Sequence, residues 1–323
     1  MRFWPQFLCA ASVFFHSPVA SAEQSEAKPI EMAVQAEFPH GGFDMAYGLG
    51  SLWMMSGDRL VRIESYNGSV TISALGDPSG NAVPDIDRYR KPAIGHDAIW
   101  IPDVPAGFVR KIDPNTNREI LRIPVAMTGA SGSIGIGAGS VWVVAADDHS
   151  KTLMRFDADS GAEQARLVLP SQAGAAVFVD DAVFVPANRR GELYRIDPEK
   201  NAIVATFALP SGSHLITADG KALWVPLLSE GKLARLDRST GVVDTIEVPG
   251  LKDVDGDIAV GSGSVWLINR RSLVVEIDAE TRQIKQRFLP KAGVHMGRRL
   301  AYGDGALWIS GKSVFKVAVP NLE

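Results

Sequence analysis

One recurring pattern constrains this chain more than any other feature. Its clearest copy reads Val260-Gly261-Ser262-Gly263-Ser264-Val265-Trp266-Leu267, and matching segments place an aromatic residue at Trp53, Trp100, Trp142, Phe184, Trp224 and Trp308. Successive aromatics lie 47, 42, 42, 40, 42 and 42 residues apart. Six of the seven tryptophans hold this position, and the seventh, Trp4, precedes the first repeat. A period near 42 residues, with a glycine turn before each aromatic, is the repeat of β-propeller blades.

A second element follows each aromatic. It reads Val109-Arg110-Lys111-Ile112-Asp113-Pro114, Leu153-Met154-Arg155-Phe156-Asp157, Leu193-Tyr194-Arg195-Ile196-Asp197-Pro198, Leu233-Ala234-Arg235-Leu236-Asp237 and Leu273-Val274-Val275-Glu276-Ile277-Asp278. Turn residues such as Ser239-Thr240-Gly241 come next, then an alternating run such as Val242-Val243-Asp244-Thr245-Ile246-Glu247-Val248. Each repeat thus predicts four strands. Strand A precedes the glycine turn, B carries the aromatic, C ends in Ile-Asp, and D follows the Thr-Gly turn. The expected fold is all-β, a seven-bladed propeller of four-stranded blades. The last repeat has room for only one strand after Trp308, near residues 313–317. Residues 30–37 are therefore expected to supply its fourth strand and close the ring, which removes two open sheet edges.

Both recurring residue types read as structure. An Asp opening a tight hairpin accepts hydrogen bonds from backbone N–H groups two residues on. That role is assigned to Asp113, Asp157, Asp197, Asp237 and Asp278. The aromatics read as wedges filling the space between blades.

At the N-terminus, Arg2, the apolar run Phe7–Phe15 and the small-x-small triplet Ala20-Ser21-Ala22 have the form of a secretory signal over residues 1–22. The apolar run is too short to span a bilayer, and no later stretch is long enough. Residues 23–323 are then a single domain, expected to be monomeric and periplasmic or secreted. Cys9 is the only cysteine, so the processed chain has no disulfide, thiolate ligand or cysteine nucleophile. Loss of one Arg with the signal leaves a charge of −5, which gives no reason to expect a nucleic-acid partner.

The hairpin Gly137-Ala138-Gly139-Ser140-Val141-Trp142-Val143 and the Arg-Ile-Asp-Pro strand end resemble those of the streptogramin B lyase (virginiamycin B lyase) group and related YVTN-type propellers. The resemblance covers about residues 30–320 and implies the propeller fold. It also implies an activity, since those lyases open a cyclic depsipeptide by elimination with a His, acidic residues and Mg²⁺. Their repeats typically read Trp-Phe-Thr-Glu. The residues three after each aromatic here are Ser56, Asp103, Ala145, Ala187, Leu227, Asn269 and Gly311, none of them Glu. No catalytic residue therefore carries over.

Propeller geometry puts the D–A and B–C loops on one face, with strand A lining the channel. Asp44, Lys91, Asp257 and Arg299 fall nine residues before their aromatics, and Arg90, His214 and Arg298 fall ten before. Together with Arg270 from a B–C loop, these eight are the predicted ligand-binding residues. Charge crowds blades 1, 2, 6 and 7, whereas blades 3 and 4 offer Gly132, Ser133, Gly174 and Ala175. Arginine forks suit carboxylate or phosphate oxygens. His40 and His295 both lie 13 residues before a tryptophan, on blades that become neighbours once the ring closes. They are the candidate catalytic pair, or with Asp44 or Asp257 a two-His, one-carboxylate site for a divalent cation. Asp253-Val254-Asp255-Gly256-Asp257 lacks the remaining ligands of a calcium loop and reads as an acidic turn. Three functions remain open: a non-catalytic propeller that takes a small anion, glycan or protein at the channel mouth, a lyase- or hydrolase-type enzyme acting at the same face, and a quinone- or metal-dependent oxidoreductase, which has no cofactor motif in its favour.

Overall fold

Strand A of each blade lines a central axis and strand D forms the outer rim. The computed structural model describes residues 27–42, 44–75, 91–103, 107–125, 133–146, 151–170, 173–187, 190–291 and 296–319. The expected signal segment, residues 1–22, lies outside them. Blades 1 to 6 run A-B-C-D in chain order, beginning with Met45–Gly48, Ser51–Ser56, Arg59–Glu64 and Val70–Ala74 in blade 1. Blade 7 takes A, B and C from Arg299–Gly303, Ala306–Ser310 and Val314–Ala318. Among the described residues, no helix is long and apolar enough to cross a membrane.

The ring closes as expected, with one refinement. Val34–Phe38 pairs antiparallel with Val314–Ala318 as the fourth strand of blade 7, and Phe38 stacks on Trp308 with 6.0 Å between centroids. The expected strand over 30–37 begins later, because Ile30–Ala33 forms a 3-10 turn. That turn lets Lys28–Pro29 pair in parallel with Phe288 and Leu289 of blade 6. Ile30 is buried in the core between blades 6 and 7, and Glu31 accepts a hydrogen bond from Lys291 N at 2.6 Å. The segment thus spans two outer rims.

The repeat residues explain how the blades hold together. All seven aromatics are buried. Most of the indoles donate back to strand A: Trp53 Nε1 to Gly48 O at 3.0 Å, Trp100 to Gly95 O at 3.1 Å and Trp308 to Gly303 O at 3.2 Å. Directly opposite, on strand C, a cation lies over the ring: Arg62 on Trp53, Lys111 on Trp100, Arg155 on Trp142 and Lys316 on Trp308, at 4.8–5.3 Å. The same cations reach the C–D turn of the following blade. Arg62 donates to Pro114 O, Lys111 to Ala158 O, Arg155 to Pro198 O and, across the closure, Lys316 to Ser65 O. Blade 6 departs from this, with Glu276 opposite Trp266, whose Nε1 is buried without an acceptor among the described residues.

Glycine at the end of strand A is a packing requirement. A Cβ on Gly303 would lie 1.8 Å from the Tyr47 ring, and one on Gly261 1.8 Å from the Tyr302 ring. In five of the seven blades this position is glycine (Gly48, Gly95, Gly137, Gly261 and Gly303), and the next blade lays a strand A side chain onto it. The Asp residues behave as read. Asp237 accepts from Ser239 N and Thr240 N, and Asp278 from Glu280 N and Thr281 N. The Ser239 hydroxyl, then Arg235 and the Thr240 N–H, hold the Asp237 carboxyl below the usual range, and the Thr281 N–H leads the same effect on Asp278.

Strand A varies in length for a reason written in strand B. Blades 2, 4 and 5 carry Pro102, Pro186 and Pro226 two residues after the aromatic, and their A strands span only Ala93–Gly95, Val177–Val179 and Thr217–Ala218. Pro186 O accepts from Gly174 N at 2.7 Å, so this position faces strand A. Proline has no N–H to return, and the continuous ladder breaks there, leaving only the isolated Ala173–Ala187 bridge beyond it in blade 4.

Candidate functional site

The short A strands and the loops before them surround an inner chamber of about 230 Å³ to which every blade contributes. One side is charged, with Asp44 (blade 1), Lys91 (blade 2), Asp257 (blade 6) and Arg299 (blade 7). The other is apolar, with Ile134 from blade 3, Ala175, Ala176 and Val177 from blade 4, and Leu215 and Ile216 from blade 5. His214 stands between them. This is the asymmetry expected from the sequence, although Gly132 itself lies outside the described residues.

An outer pocket of about 480 Å³ opens between blades 6, 7 and 1, lined by Gly41, Gly42, Arg270, Ser272, Arg298, Arg299 and Lys312 among others. Arg299 belongs to both walls. Loop shape here depends on Gly297, with φ near +105° and Ser310 O where a Cβ would sit. Ser310 Oγ in turn donates to Gly42 O and ties the loop of blade 1 to strand B of blade 7.

The charges form one network across the closure. Arg299 Nε donates to Asp44 Oδ1 at 2.9 Å, and its Nη1 donates to Asp255 Oδ1 at 3.0 Å. Lys91 bridges to Asp257 at 3.1 Å, and the Asp257 carboxylate also accepts from Ile258 N and Leu300 N. Arg298 pairs with Asp255 at 3.1 Å, and Arg270 lies 3.6 Å from Asp253. Burial raises the Asp44 pKa, and Arg299 opposes that. For Arg299, burial works against the charge, but Asp44, Asp257 and Asp255 outweigh it and hold its pKa above the usual value. His214 exposes much of its surface, but to the chamber. Desolvation pushes its pKa down from 6.5, leaving a neutral imidazole at pH 7.

The structure thus brings Asp44, Lys91, His214, Asp257 and Arg299 together in the inner chamber, and Arg270, Arg298 and Arg299 in the outer one. His40 directly precedes Gly41 in the outer wall. Arg90 and His295 lie outside the described residues, as does any His40–His295 pairing. Among the described residues, no group of three His, Cys, Asp or Glu is arranged to hold a metal ion. Asp103 lines neither chamber: it binds Arg110 at 2.8 Å on the flank of blade 2. The residue missed from sequence is Asp255, which holds both Arg298 and Arg299. Its only signal was the acidic string 253–257, in which alternate residues serve different neighbours.

No family model and no curated protein matches the sequence. Solved structures do match in shape. A streptogramin B lyase superposes with a TM-score of 0.74 at 17% identity, over 91% of this chain and 100% of that one. The chain shares the fold of the streptogramin B lyases. Virginiamycin B lyase from Staphylococcus aureus gives 0.73 at 17% identity, over 88% of this chain and 98% of that one. BamB from Moraxella catarrhalis gives 0.61 at 15% identity, over 87% and 95%. At these identities the likeness concerns architecture alone.

Proposed function

We propose that this chain is an exported propeller that binds a small molecule bearing an anionic group at the channel mouth, between blades 6, 7 and 1. One observation carries the reading: Arg270, Arg298, Arg299 and Lys312 converge on a single pocket. Asp253 and Asp255 orient the guanidiniums from behind. Arginine forks held in this way accept a carboxylate, sulfate or phosphate in two-point contact. Titration calorimetry with inorganic phosphate and with sulfate tests this. Binding is expected to weaken with added salt and to fall at least tenfold in Arg298→Ala, since one charge-assisted hydrogen bond contributes about 1.5–3 kcal/mol. Absence of any anion binding by the wild type overturns the reading. Export rests on the signal-like residues 1–22. An N-terminus at Glu23 in protein recovered from outside the cytoplasm is the expected result, and an intact Met1 is the contrary one.

A lyase- or hydrolase-type reaction at the same face is the second reading. The shared fold favours it, as does His214, whose neutral imidazole beside the carboxylates is in the form a general base requires. His40 and His295 are the other acid–base candidates. Turnover that survives alanine at all three positions would dispose of it.

A further inference from the structure

The two chambers differ in chemistry, share one wall, and together fall within the usual size of small-molecule sites, about 300–1,000 Å³. In the inner chamber the charges answer one another: Lys91 pairs with Asp257, and Arg299 with Asp44. An anion entering there would have to break ion pairs already made. At the outer chamber Arg270 and Arg298 stay 59% and 29% exposed while paired with Asp253 and Asp255, and Lys312 makes no ion pair among the described residues. What the inner chamber offers a ligand is its apolar side, Ala175, Val177, Leu215 and Ile216, with the neutral His214 at its edge. Its volume of about 230 Å³ admits roughly eight groups of water or methylene size, at about 30 Å³ each.

We propose that the ligand is an amphiphilic monoanion, with its charged head on Arg298, Arg270 and Lys312 and an apolar body of about eight carbons passing Arg299 into the channel. This rests on the anion reading above and specifies what is attached to the anion. Proline supports the shape. Pro186 and Pro226 cut strand A short in blades 4 and 5, and those two blades supply most of the apolar wall.

Three sodium or neutral probes on the full-length chain test it by calorimetry: octanoate, butyrate and 1-octanol. Each buried methylene is worth a factor of about four, so octanoate should bind at least thirtyfold tighter than butyrate. It should also show a negative heat-capacity change. Octanol should bind at least tenfold more weakly than octanoate. Ala175→Leu, which fills the inner chamber without touching a charge, should cost octanoate at least tenfold and leave butyrate and phosphate unchanged. Equal affinity for octanoate and butyrate overturns the amphiphile proposal while phosphate binding keeps the anion reading alive. Octanol binding as tightly as octanoate overturns the head-group assignment. Because the comparison of octanoate with butyrate needs only wild-type protein, it decides the matter even if Ala175→Leu does not fold.

Discussion

Arg299 and Arg298 are adjacent in sequence, yet the structure gives them different work, and their alanine variants separate the two roles. The Arg299 side chain is 13% exposed and that of its partner Asp44 only 9%. Arg299 also binds Asp255 and the carbonyl of Gly256. Removing one member of a buried pair costs about 3–5 kcal/mol, because the remaining charge stays desolvated. Arg298 pairs with Asp255 at 29% and 25% exposure, where an ion pair is worth about 0–1 kcal/mol. For a domain of this size, about 2 °C of melting temperature per kcal/mol gives a loss of roughly 6–10 °C for Arg299→Ala and no more than about 2 °C for Arg298→Ala. Thermal unfolding followed by tryptophan fluorescence reads both. The pH dependence adds a sign. Burial already raises Asp44, and loss of the guanidinium raises it further. Between the two folded-state pKa values the variant takes up a proton that the wild type does not, so its deficit should shrink as pH falls from 7. An Arg299→Ala protein that melts within about 1 °C of wild type, or whose deficit grows on acidification, would refute the reasoning.

Three further outcomes follow from the blade packing. Trp266→Phe should cost about 1 kcal/mol less than Trp53→Phe in urea unfolding, because only the Trp53 indole has a hydrogen bond to lose. Gly303→Ala drives a methyl into the Tyr47 ring, so Tyr47→Ala should partly rescue it, giving a double variant more stable than the sum of the two losses. The hairpin carboxyls Asp157, Asp197, Asp237 and Asp278 are held below their unfolded pKa. Their contribution is therefore complete above about pH 4 and is lost as pH falls through the depressed values. The urea midpoint should drop between pH 4 and 2, and Asp237→Asn should flatten that drop.

The sequence made the blades legible because each is built from residues whose role repeats. Trp-wedges, Gly turns and Asp hairpins recur seven-fold or nearly so, and one good copy explains the rest. Even there a layer was hidden. The repeat alone gives no role to the Arg or Lys that precedes the end of strand C in most blades, and only the pairing register shows a cation such as Arg62 lying on an indole and strapping the next blade. The mouth was legible by position, since counting back from each aromatic located Asp44, Lys91, Asp257 and Arg299. Which charges pair was not, because that depends on contacts between blades far apart in the chain, as with Lys91 and Asp257. Asp255 went unassigned for the same reason: its partners come from blade 7, and its neighbours in sequence say nothing about them.

The N-terminal clip on blades 6 and 7 sets a schedule for folding. Its pairing joins Val34 to Val317, so the Val34–Phe38 strand, made before any blade, has no partner until the last repeat is complete. Closing so long a loop adds little equilibrium cost, because the entropy grows only with the logarithm of length. The burden is kinetic. Until closure, an arc of finished blades presents one bare edge at the rim of blade 7 and one open flank at blade 1, both able to pair with another chain. A chain stalled before residue 314 cannot complete the ring. A nick near Phe38 that let Val34–Phe38 dissociate would return the folded molecule to that same open arc.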